Sequence, residues 1–437
     1  MDEAMAMRRD EAAVTLPKGA AELARRAAEV FPLYIRYINT YMPENTPRFF
    51  ARSEGARLWD ADGREYIDFM CGGGPNLLGY CHPRVEAAAR RQRVLGDTMM
   101  GPAPVAVALA EKLIEMVSHS RWALFGKNGS DATSTALQIA RAQTGRRRVL
   151  VAEGSYHGSH PWCTPWRAGV MPEDRAHRAE YRYNDLASLE AAVDEAGDDL
   201  AAIFATGIKH DSVTDQELPT VEFARRCREI CDKTGALLVV DDVRAGLRLA
   251  RDCSWALVGV EPDLSCWSKA VANGYPLCAV LGSDRAREGV SKVMVGGTFW
   301  LQAVPMAAAL ETLQIVTESD YLEHLERLGT VLRSGLREQA ARHGFELSQS
   351  GPMAMPLIRI KHDPGNRLNR AIVSAMLERG MYMNTFHNMF LCAAMTMRDI
   401  EQTIEAAGGA FAFLAEHRRK IESAPAPTVF RDSVADN

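Results

Sequence analysis

The sequence predicts an α/β protein: a large three-layer domain around a mostly parallel sheet, plus a smaller α+β domain built from the N- and C-terminal segments. Three observations predict it. Short apolar runs ("WALFGKNG", "RRRVLVAEGSYHG", "LAAIFATG", "GALLVVDDVRAG" and "PLCAVLGS") are bounded by turn residues and alternate with longer helical patterns. Each is too short for a free-standing helix, and strands covered by helices on both faces read as such unbroken apolar runs. The 437 residues also exceed what one small core organises.

Taken in order, residues 1–18 are expected to be disordered. An amphipathic helix is expected from Ala20 to about Tyr41. "ARLWDADGREYIDFM" (56–70) alternates apolar and polar residues around a turn at Asp60-Ala61-Asp62-Gly63, which predicts a hairpin. Residues 19–75 thus form the N-terminal part of the small domain. The alternating helix and strand patterns place the large domain at 76–319. Two helical patterns around "FELSQSGPMAMPLIRIKHD" make 320–421 the C-terminal part of the small domain, and 422–437 is expected to be a disordered tail.

Composition narrows the function. With 47% hydrophobic and 24% charged residues and a net charge of −5, nothing argues for a nucleic-acid or anionic-membrane partner. No apolar run is long enough to span a bilayer. The first residues are charged and lack an apolar core, so a cytoplasmic protein is expected. The nine cysteines form no CxxC pair, and Cys227 and Cys231 stand one helical turn apart as small buried hydrophobes would. The eleven histidines show no paired metal spacing, so no structural metal is expected.

Four stretches carry chemistry. In "FGKNGSDATSTALQIARAQTG" a strand ends and a helix begins near Ser130. Asn128, Gly129 and Ser130 there offer backbone N–H groups and a hydroxyl to an anion, although Ser130-Asp131 is also an ordinary helix cap. In "EGSYHGSH", Tyr156 and His157 follow a strand. The tyrosine could stack on a flat ring or lie on the surface as a loop residue. In "LLVVDDVRAG", Asp241 sits at the carboxyl end of a buried strand, where open α/β sheets bind ligands; a helix-capping aspartate is the alternative. A buried carboxylate there needs a cationic partner. In "PDLSCWSKAVANGYP", Lys269 is the one lysine of a nearly uncharged segment, 28 positions after Asp241. One helix and one strand fit between them, which puts both at the same sheet edge. A lysine in an uncharged pocket has a lowered pKa and becomes a nucleophilic amine. An anion cradle, a stacking aromatic, a carboxylate for a ring nitrogen and a lysine for a Schiff base are together what pyridoxal 5′-phosphate requires.

On these residues the chain resembles the class III aminotransferases of PLP fold type I, in the branch of glutamate-1-semialdehyde aminomutase. The resemblance runs from "ARLWDADGREYIDFMCGGGPNLLGYCHPRV" to the C-terminal segment. It implies that Asn128-Gly129-Ser130 hold the phosphate, Tyr156 before His157-Gly158 stacks on the ring, and Asp241 pairs with the ring nitrogen. It further implies that Val243 lies behind the ring, Lys269 binds the cofactor covalently, and Thr298 in "VGGTFW" reaches the phosphate of a neighbouring subunit. The protein would then be a homodimer with shared sites. Departures fall at Asn128 and Asp242, where serine and glutamate are usual, and at Arg244-Ala245, where a small or apolar residue and threonine are common. They imply a different substrate pocket.

The expected activity is transfer of an amino group from a small-molecule donor, glutamate by the resemblance, to an aldehyde or ketone. "DDVRAG" and "SKAVANGYP" are similar to the aminoglycoside 6′-aminotransferases, which makes an oxidised aminoglycoside sugar one candidate acceptor. Trp162, Trp166 and Arg167 in "GSHPWCTPWRAGV", together with Arg244, are candidate substrate contacts. Aminomutase, epimerase or eliminase chemistry would use the same residues. A catalytically silent binding protein is the reading from another class, and an intact Lys269 and Asp241 argue against it.

Overall fold

The structure, a computed structural model, describes residues 19–31, 42–210 and 214–426. The expectations for 1–18, for the helix beyond Phe31 and for 427–437 fall outside the described residues. Ala20–Val30 is helical, and its first N–H donates to the Asp62 carboxylate (2.9 Å).

The predicted hairpin forms. Strands β1 (Phe50–Glu54), β2 (Arg57–Asp60) and β3 (Glu65–Asp68) pair antiparallel in sequence order. Asp60 Oδ1 closes the turn by accepting from the N–H groups of Asp62 (3.0 Å) and Arg64 (2.8 Å), and Gly63 supplies the positive φ of 89° that it needs.

The large sheet uses β4 (Trp122–Gly126), β5 (Arg148–Ala152), β6 (Arg178–Tyr181), β7 (Leu200–Thr206), β8 (Leu237–Asp241), β9 (Leu264–Trp267) and β10 (Cys278–Gly282). Their order is β4-β10-β9-β8-β7-β5-β6. Neighbours pair parallel except around β10, which runs antiparallel to both β4 and β9. Alternate residues of each strand enter opposite cores. Leu238 and Val240 of β8 join one cluster with Leu150, Ile203 and Phe223; Leu237 and Val239 join another with Val149, Val151, Phe204 and the helix residues Ala132 and Ala136. The continuous apolar runs of the sequence are thus strands buried on both faces.

After the long helices Ala303–Glu318 and Tyr321–Arg342 come the antiparallel pair β11 (Leu347–Ser350) and β12 (Leu357–Ile360), the helix Arg367–Leu377 and the short β13 (Met381–Tyr382). β13 pairs parallel with β3, so a C-terminal strand completes the N-terminal sheet. The last helix, Met397–Ser423, starts at Thr396, whose hydroxyl accepts from Asp399 N–H while the Asp399 carboxylate accepts from Thr396 N–H. It runs through Glu422, where the tail was expected to begin. Among the described residues, no helix is long and apolar enough to cross a membrane.

Candidate active site at the carboxyl edge of the sheet

β4, β5, β8 and β9 point the same way, so the four stretches singled out in the sequence leave the sheet at one edge. β8 and β9 are joined without the expected α-helix. A 3₁₀ turn at Ser254–Val258 serves instead, and Asp241 lies level with Cys266.

Asp241 is placed by strand parity. Its side chain follows Leu237 and Val239 onto the face covered by the helix Gly129–Thr144. There Oδ2 accepts from His157 Nδ1 (2.8 Å) and Oδ1 from the Val243 N–H (3.0 Å). His157 is itself buried. Its backbone oxygen accepts from Thr133 (2.6 Å), its ring packs edge-on to Phe204 at 5.9 Å, and its Nε2 has no hydrogen-bond partner. The partner of this buried carboxylate is the His157 imidazole, packed against Phe204 of the second core. Asp242 faces the other way and accepts from Ser254 N–H (2.9 Å), and burial lifts its carboxyl to about 6.

The helix Gly129–Thr144 begins beside Asp241. A Cβ on Gly129 would stand 2.6 Å from Val243 Cγ1, so only glycine brings the helix start this close. Asp131 accepts from the N–H of Asn128 (2.8 Å) and of Lys127 (3.1 Å). Ser130 Oγ accepts from Ser159 N–H (3.0 Å), and a Cβ on Gly158 would lie 2.7 Å from that oxygen. The first turn is therefore locked to the loop that carries Tyr156 and His157. Tyr156 is half exposed with its ring centroid 5.6 Å from that of Trp166.

Lys269 lies two residues beyond β9. Its φ of 48° is in the left-handed region, a conformation costing a non-glycine residue about 1–3 kcal/mol. Surrounding structure holds it there. Ser268 Oγ donates to Leu277 O (2.8 Å). Asn273 in the same turn accepts from Leu78 N–H (2.8 Å) and donates to Gly79 O (2.9 Å). Burial lowers the lysine's pKa to about 8, with Arg244 and Arg248 pushing the same way and Asp241 opposing. The neighbourhood is therefore not uncharged, as the local sequence implied. The charges come from the segment after Asp241. Arg244 donates to Ile208 O (2.8 Å) and to Asn388 Oδ1 (3.2 Å).

The other candidates are more dispersed. The Trp162 indole N–H donates to Ser134 Oγ (2.9 Å) and the ring packs on Phe204 at 5.3 Å, so Trp162 is turned towards the second core. Arg167 is exposed, and Thr298 is exposed on the turn Thr298–Leu301. Sequence reasoning missed Asn273, His210, His387 and Asn388. The polar pair His387-Asn388 within the apolar run "MYMNTFHNMFLCAAM" was the available signal.

These residues fit pyridoxal phosphate: a helix N-terminus stripped of side chain, a braced buried carboxylate, an exposed aromatic face and an amine with lowered pKa meet at one edge. The comparisons agree. The family model for class III aminotransferases matches residues 40–406. The aminopentol aminotransferase of Sphingopyxis macrogoltabida is 53% identical over 392 residues, covering 89% of this chain and 93% of its own. A glutamate-1-semialdehyde 2,1-aminomutase of Syntrophobacter fumaroxidans is 33% identical over 84% of this chain and 90% of its own. The PLP-bound FumI protein of Sphingopyxis sp. MTA144 superposes with a TM-score of 0.91 at 51% identity, over 93% of this chain and 99% of that one. Family, fold and edge chemistry lead to one conclusion: the chain belongs to the class III aminotransferases and is a pyridoxal-phosphate-dependent aminotransferase.

Proposed function

We propose that the protein exchanges an amino group between a polyhydroxylated amine and an amino-acid/keto-acid pair, glutamate being the amino acid the family resemblance implies. The observation that carries this reading is Lys269, an amine of lowered pKa, at the same sheet edge as the His157-braced Asp241. The substrate class is supported by the 53% identical relative, whose name specifies an aminopentol. An oxidised aminoglycoside, the acceptor considered from the sequence, shares that hydroxylated framework and is the second compound to test.

When bound, the cofactor supplies an electron sink for the carbanion left by proton loss at the amine-bearing carbon. The chain's own residues do the rest. Lys269 Nζ holds the cofactor and, once released, takes the proton from that carbon and returns it elsewhere; a pKa near neutrality suits both directions. Asp241 would face the ring nitrogen as its acceptor, and His157 holds Asp241 in place. The N–H groups of Gly129 and Ser130 and the Ser130 hydroxyl would hold the phosphate at the helix N-terminus, next to Asn128, whose own N–H is taken by Asp131. Tyr156 and Val243 would border the ring.

The protein works as a homodimer in which Thr298 of one subunit completes the phosphate site of the other. An exposed apolar surface supports this. Met99, Met100, Met294, Phe299 and Leu301 are all exposed. Their two segments are tied together by Asp97, which accepts from Gln302 (3.2 Å) and from the Val304 N–H (2.9 Å). Such a patch beside a cofactor turn is what a second copy would cover.

The test is to mix the holoenzyme with amino polyols, an aminoglycoside and glutamate, following loss of the cofactor's visible absorbance and identifying products by mass spectrometry. A ketone or aldehyde from a polyhydroxylated amine, with matching amination of a keto acid, is expected. An isomeric amine formed without a keto acid would replace transfer by aminomutation.

A further inference from the structure

A polar cluster beside Lys269 lies outside the residues assigned above to the cofactor. His387 Nδ1 lies 2.9 Å from Asn388 O; a carbonyl only accepts, so this nitrogen carries the proton. Nε2 is then left with a lone pair. Burial, the Arg244 charge and the Lys269 charge lower the His387 pKa to about 4, so the ring is neutral. The His210 ring stands edge-on to it at 5.1 Å. Both His210 ring nitrogens are buried and lack a hydrogen-bond partner among the described residues. Burial and Arg244 also hold His210 neutral. Arg244, braced on Ile208 and Asn388, lies close enough for its charge to act on both histidines and on the lysine.

Buried polar groups without partners are costly, and sites that bind polar ligands are where they persist. The chemistry of the cluster selects among ligands. A hydroxyl both donates and accepts. A neutral imidazole lone pair takes its proton, and an arginine or imidazole N–H meets its oxygen. A carboxylate only accepts, so it can take an N–H from Arg244 or His210 but offers no proton to the His387 lone pair. A methylene satisfies neither histidine.

We propose that His387 and His210, with Arg244, form the specificity-determining surface that reads hydroxyl groups close to the reacting amine. This rests on the transferase reading above and names the residues that would make it selective for hydroxylated amines.

The experiment compares 2-aminooctan-3-ol with 2-aminooctane on the holoenzymes of wild type, His387→Phe, His210→Phe and His387→Gln. Wild type is expected to favour the amino alcohol in kcat/KM by about 100-fold, since sites built to bond a hydroxyl discriminate strongly against its absence. Each Phe variant is expected to cut that ratio by about 10- to 100-fold, the cost of one lost buried hydrogen bond. His387→Gln, whose amide oxygen accepts, should restore part of it. Cofactor absorbance and melting temperature establish that the variants are folded. A second readout needs no turnover. Octane-2,3-diol, which has no amine to react, should raise the melting temperature of wild type and not of His387→Phe. A ratio unmoved by every variant, or a diol shift that survives in His387→Phe, would overturn the proposal. If no amine is turned over while the diol still stabilises through His387, the transferase reading fails and the hydroxyl-reading surface stands. If both amines turn over equally and the diol does nothing, the reverse holds.

Discussion

Replacing Lys269 by methionine should stabilise the cofactor-free protein. The wild-type amine falls from its ordinary 10.5 to about 8 on folding. That gap of about 2.5 units, at 1.36 kcal/mol per unit, is about 3 kcal/mol against folding at pH 7, reduced to about 2–3 kcal/mol for the part of the side chain that keeps solvent contact. The sign follows from proton counting. Below pH 8 both states carry the proton and the folded state bears the whole penalty. Between pH 8 and 10.5 the unfolded chain alone still binds it, so wild-type stability rises with pH. Methionine has nothing to titrate, fills a similar volume and sits at the same left-handed φ, so the backbone cost cancels. Urea unfolding of both cofactor-free proteins should therefore show Lys269→Met ahead by about 2–3 kcal/mol at pH 7, the lead shrinking from pH 8 to 10. A lead that is absent at pH 7, or that widens with pH, would refute the desolvated-amine argument.

Three further outcomes are expected. Asp241→Asn should leave urea unfolding nearly unchanged and lower turnover by orders of magnitude; near wild-type turnover would reduce Asp241 to a structural acceptor for His157. Gly129→Ala should force Val243 aside and cost about 1–3 kcal/mol as overpacking, with weaker cofactor retention on dialysis; full retention with an unchanged melting temperature would show that the helix start has slack. Thr298→Ala should weaken cofactor retention by about 1–2 kcal/mol, and removing the cofactor should raise the dimer dissociation constant in sedimentation over a dilution series. A holoenzyme that stays monomeric and active would exclude a shared site.

The sheet was legible because β7 and β8 are apolar up to their last residues, Thr206 and Asp241, a pattern that two-sided burial explains. The hairpin was legible because its turn residues bond to their own backbone through Asp60. The placement of Asp241 and Lys269 at one sheet edge was legible because each follows an abrupt end to an apolar run; one ends β8 and the other stands two residues beyond β9. What surrounds Lys269 was not. Arg244 approaches from the next strand's loop, and His387 lies 118 positions away (387 − 269). No spacing rule joins residues that only tertiary packing brings together. The same holds for β13, two residues long, which pairs across 313 positions with β3 (381 − 68).

Arg248 has a consequence for motion. Its buried guanidinium donates to Gly74 O (2.8 Å) and Leu391 O (2.7 Å) and lies over the Phe390 ring at 4.9 Å. One side chain from the middle of the chain thus bolts together a loop near its beginning and a strand-like stretch near its end. A hinge through this point would have to part a buried guanidinium from two carbonyls, at about 1.5–3 kcal/mol for each hydrogen bond to the charged group. The segments around Gly74 and Leu391 are therefore expected to stay together during turnover, and any opening and closing is expected outside this bolt.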